Sequence, residues 1–113
     1  MRKVMTLEAL RQAEIEKLSF EDIFLSARYK ADLQGLIQTA CRRVGYRGTV
    51  VLHTFFDEKS NDDACTDGTS IHLNLGSSLA KRLRNKPVLF HIFIVGLVAH
   101  ELGHIFWTDF EGQ

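Results

Sequence analysis

The chain has 113 residues, 45% of them hydrophobic and 10% aromatic, which is one domain with material for a core. One proline and eight glycines argue against a disordered or fibrous chain. Fourteen basic and fourteen acidic residues cancel, so no overall field favours nucleic acid or an anionic membrane surface.

Local features agree. The cluster Lys81, Arg82, Arg84 and Lys86 reads as a solvated helix face. Cys41 and Cys65 lack a C-x-x-C spacing; two free thiols suit a reducing compartment. The N-terminus is charged too early for a signal peptide. The apolar run before His100 is shorter than the roughly 20 residues of a bilayer span, and it is followed by His, Glu, His and Asp. The expectation is a soluble cytoplasmic protein with no membrane or nucleic-acid partner.

Thr6 is placed to cap a first helix from Leu7 to about Lys17, which packs on the body or stands off as a mobile arm over residues 1–18. Ser19 opens a second helix with Glu21 and Asp22 in its first turn, where negative charge suits the dipole. Apolar residues recur at three and four from Phe20 to Val44, predicting about seven turns. Gly45 then ends the helix in a left-handed cap.

Thr49 to Phe56 is β-branched and aromatic, a strand apolar on both faces and so expected inside the sheet. Asp57 to Gly68 is a polar loop with five acidic residues. It fails as a calcium-binding EF-hand loop, because the glycine needed at its sixth position is absent in either register. Thr69 to Leu75 alternates strictly, with Ser70, His72 and Asn74 on the polar face, and predicts a half-exposed strand. Ser77 or Ser78 caps a short helix from Leu79 to Arg84. After a turn at Asn85–Pro87, a helix apolar all round runs to about Thr108, and such a helix is expected to be buried. This order of elements is α+β.

That last helix carries His100-Glu101-Leu102-Gly103-His104, an H-E-x-x-H pattern. Residues four apart share a helix face, so both imidazoles can reach one Zn²⁺ at roughly 2.0–2.1 Å. Glu101, rotated about 100° from His100, sits beside the metal, where it can act as a general base toward water. A buried helix with two histidines and a glutamate needs a compensating partner, and a metal supplies one. Zinc also needs a third protein ligand. The extended pattern with Gly at 107 and His at 110 is absent, since Trp107 and Phe110 stand there. Asp109, Glu111 or a residue outside this chain remain.

With these elements the chain resembles a zincin metallopeptidase, specifically the upper subdomain: a long N-terminal helix, a small sheet with an edge strand, and a buried C-terminal H-E-x-x-H helix. The resemblance implies that Ser70–Leu75 is the edge strand along the cleft, binding an extended peptide or protein substrate through His72 and Asn74, with Gly103 leaving room for close backbone approach. A narrower resemblance rests on Asp63-Ala-Cys-Thr-Asp-Gly68, Ile71-His-Leu-Asn74, Gly96 to His104 and Phe106-Trp-Thr-Asp109. These look like predicted metallopeptidase domains found N-terminal to von Willebrand A-type domains in bacterial and phage proteins. It implies a fragment of a longer chain, a von Willebrand A-type domain as partner, and Asp109 as third zinc ligand. Asp67 is a candidate acceptor for a ligand histidine N–H. The activity implied is zinc-dependent peptide hydrolysis with Glu101 as base. The alternatives are an inactive zincin-like binding or regulatory module, and a regulator of the ImmA/IrrE type, which shares H-E-L-G-H.

Overall fold

The computed structural model describes residues 7–60 and 62–111. It is a mixed α+β fold with five helices and one three-stranded sheet among those residues. Helix α1 (Leu7–Ile15) places Leu10 and Ala13, three apart, against the core, so it packs on the body rather than standing off. The expected Thr6 cap lies outside the described residues.

The long second helix is in fact two, α2 (Phe20–Phe24) and α3 (Ala27–Val44). Ser19 caps α2, its Oγ accepting from the Asp22 N–H at 3.1 Å. Ser26 makes the break. Its backbone is extended, its Oγ accepts from the Tyr29 N–H, and its hydroxyl donates to the Ile23 carbonyl at 2.8 Å. A serine that bonds to backbone on both sides offers the chain an alternative to the helical ladder, and apolar periodicity alone does not register this. Gly45 closes α3 at φ 76, with Tyr46 N–H bonding back to the Cys41 carbonyl at 2.9 Å, as the sequence predicts.

The strands are β1 (Val51–Phe55), β2 (Ala64–Thr66) and β3 (Ser70–Asn74), in the order β1-β3-β2. β3 is parallel to β1 and antiparallel to β2. Two expectations reverse here. β1, expected inside, is an edge strand with Val51, His53 and Phe55 exposed. β3, expected at the cleft edge, is central and paired on both sides. Alternation reports which face of a strand is covered; it says nothing about whether its two edges are paired, because those directions are perpendicular.

One sheet face, with Leu52, Ile71 and Leu73, is buried against the helices. Helix α4 (Ser78–Leu83) follows, capped by the Ser77 hydroxyl, and then α5 (Pro87–Glu111), which contacts α1, α3, α4, β2 and β3. Its aromatic anchor is Phe90, edge-on to Phe20 at 5.1 Å and to Phe24 at 4.5 Å between centroids. The basic cluster lies at the surface as expected, with Lys81, Arg82 and Lys86 exposed; Arg84 pairs with Glu21 and lies over Phe20, and Lys81 pairs with Glu58 at 3.1 Å.

Helix α5 departs from expectation in three ways. It runs unbroken to Glu111. It is buried on one side only: Phe90, Ile94, Val98, Leu102 and Ile105 face the core, while Leu89, Ile92, Trp107 and Phe110 are exposed. An all-apolar sequence cannot say which stripe packs. At 25 residues it is also long and apolar enough, by length and composition, to cross a bilayer, so the argument from run length does not hold; a core helix passes the same test.

Candidate metal centre

His100 and His104 lie on the exposed side of α5. Their Nε2 atoms are 3.2 Å apart, with ring planes at 90° and centroids 4.7 Å apart. Two nitrogens bound tetrahedrally to zinc at 2.0–2.1 Å are separated by about 3.3 Å. The pair therefore stands at the spacing one ion requires. Glu101, one residue on, is only 8% exposed. A Cβ at Gly103 would meet nothing within 4 Å, so any need for glycine there comes from outside this chain.

The third ligand is not assembled. On an unbroken helix Asp109 is about 140° around from His104 and about 7.5 Å further along. Among the described residues no three His, Cys, Asp or Glu side chains converge as a metal site. Asp109 instead lines a cavity of about 400 Å³ beside His104, with Thr108, Tyr46, Thr66 and Gly68. The expected loosening at Phe106–Thr108 is absent. That last turn is nonetheless a weak one, holding Asp109 and Glu111 and no basic residue where the helix dipole disfavours negative charge.

The substrate residues need correction. Asn74 is fully buried beneath the loop that follows β1. Its Oδ1 accepts from the Asp57 and Gly76 N–H groups, each at 2.9 Å, and its Nδ2 donates to the carbonyls of Asp57 at 2.9 Å and Asp62 at 3.1 Å. It ties chain to chain and presents nothing to a ligand. His72 is half-buried on the outer face of a central strand, stacked on His53, and does not line the cavity beside His104. Asp67 meets His72, not the α5 histidines, at 3.6 Å. Its carboxyl is held below the usual range, chiefly by the backbone N–H of Thr69 and then that of Ser70.

The edge beside the histidines belongs to β2, which contacts α5 and among the described residues pairs only with β3. β2 is invisible to alternation because it is three residues long. The opposite edge is covered at its start. Gln34 of α3 accepts from the Leu52 N–H and donates to the Val50 carbonyl, both at 2.8 Å, filling β1 as a short strand would. Tyr46, Thr66 and Thr108 are further cavity residues that the sequence reading missed; each becomes visible only when α3, β2 and α5 meet.

His91, two turns before the motif, is buried and bonded to the Tyr29 hydroxyl at 2.7 Å from Nδ1. Burial holds its pKa below the usual histidine value. It is a core histidine, separate from the exposed pair. No known protein family, curated protein or solved structure matches this chain.

Proposed function

We propose that the chain is a zinc-dependent peptidase of zincin type. The observation that carries this reading is the 3.2 Å separation of two exposed imidazole Nε2 atoms on successive turns of one helix. His100 and His104 hold the ion, and Asp109 completes the set when the acidic last turn of α5 opens toward it. Zn²⁺ bound there supplies a Lewis acid for the scissile carbonyl and water ionised near neutral pH.

The rest is done by the chain itself. Glu101 takes the proton of the attacking water on its carboxylate and returns it to the leaving amine. The open edge of β2 aligns an extended peptide by main-chain hydrogen bonds, placing it across the histidine pair. The cavity beside His104 receives one substrate side chain. Glu101→Gln is expected to keep stoichiometric zinc and to lose peptide hydrolysis, measured by elemental analysis and by cleavage of a quenched fluorescent peptide library. Full activity in this variant excludes the assignment.

A second reading is a zincin-shaped binding or regulatory module. The observation favouring it is the position of Asp109, turned away from the histidines on an intact helix. In that case peptides bind along β2 without being cut, and Glu101→Gln changes neither binding nor products.

A further inference from the structure

We propose a second site for a divalent transition-metal ion on the outer face of the sheet, held by His53, His72 and Asp67 and independent of the α5 histidines. Register places the first two together. His53 on β1 is the direct partner of His72 on β3, and their rings stack at 5.0 Å between centroids with planes 19° apart. Both project from the face opposite Leu52, Ile71 and Leu73, so their tips reach solvent above the core layer.

Asp67 supplies the third group from the β2–β3 turn. Its Oδ1 is pinned by the N–H groups of Thr69 at 3.1 Å and Ser70 at 2.8 Å, and by the Thr69 hydroxyl. That leaves Oδ2 aimed at His72 Nε2, 3.6 Å away. Two ligands of one tetrahedral zinc stand about 3.3 Å apart, so the pair needs only a few tenths of an ångström to share an ion.

The three groups do not yet converge. His53 must turn, and it is exposed and hydrogen-bonded to none of the described residues. Its ring can therefore rotate between staggered positions at small cost. Two imidazoles and a carboxylate are the donor set of many zinc centres and suit copper and nickel as well. Cys65, the partner of His72 on β2, is an exposed free thiol beside the same row and reports occupancy.

The test removes the α5 pair first. In the full chain carrying His100→Ala and His104→Ala, equilibrium dialysis against zinc is expected to find about one ion per chain. Adding His53→Ala and His72→Ala should abolish that binding. Asp67→Asn keeps an oxygen for Thr69 and Ser70, so the turn is preserved, yet it should weaken binding by about tenfold or more, as for other charged groups around zinc. Zinc should also slow alkylation of Cys65 in the first variant and not in the fourfold one. No zinc in the double variant overturns the proposal, as does binding that survives loss of His53 and His72. Loss of peptidase activity alone bears on the α5 site and leaves this one standing.

Discussion

Replacing Asn74 with alanine separates a structural knot from a substrate contact. The side chain makes four hydrogen bonds and is fully buried. Each is worth about 1 kcal/mol net, and the groups left unmet carry a desolvation penalty of similar size. Two of them are N–H donors, of Asp57 and Gly76, with few alternatives once the loop is folded over them. The expected loss is about 3–4 kcal/mol, a large part of the 5–15 kcal/mol typical of a domain. Urea denaturation followed by circular dichroism should show a lower midpoint at an unchanged slope. Thermal unfolding should drop by about 12 °C or more. His72→Ala, on the outer face, should cost only about 0.5 kcal/mol. A loss below about 1 kcal/mol for Asn74→Ala, together with weaker peptide binding, would refute the knot and return Asn74 to the substrate.

Three more outcomes are expected. Asp109→Ala, made together with His53→Ala and His72→Ala so that only the α5 site is counted, should lower zinc content well below one per chain in protein purified without added metal; unchanged zinc would show that the two histidines suffice or that another residue completes the set. His91 has a folded pKa depressed by burial, so below its ordinary value of about 6.5 the unfolded chain binds the proton more readily. Stability is therefore full above that pH and falls as pH drops through and below it; a His91→Phe variant with the same pH slope would contradict this. Gln34→Ala should cost about 1–2 kcal/mol and, by uncovering the β1 edge, raise light scattering with protein concentration; equal scattering would mean that edge was never protected by Gln34.

Those elements whose signal is local were legible in the sequence. The caps at Ser19 and Gly45 and the short helix after Ser77 depend on residues within a turn or two, and the structure places them as read; the H-E-x-x-H residues are helical as read, but on a helix buried on one side only, with both histidines exposed rather than buried. The pairing of strands was not. Thr69–Leu75 alternates because one face is wet, and that is true of a central strand whose outer face meets solvent. The edge strand beside α5 came instead from Ala-Cys-Thr inside an acidic loop, too short for any period. Asn74 read as polar and outward, and it does point outward; what covers it is a loop whose path no periodicity encodes. The histidine pair could be read because four residues on a helix fix its spacing. The third ligand could not, because it depends on where the helix ends.

The Gln34 clamp has a consequence for self-association. With the start of β1 occupied by a side chain, backbone pairing between copies is steered toward β2, three residues long. That strand is flanked in sequence by Asp62, Asp63 and Asp67. Two copies meeting there would set like charges face to face, within the roughly 10 Å over which they act at 0.1 M salt. A chain of zero formal charge lacks global repulsion to keep it monodisperse; here that protection is concentrated beside the β2 edge. It weakens as ionic strength rises, so salt, which usually disperses charged aggregates, should favour edge-to-edge dimers of this one.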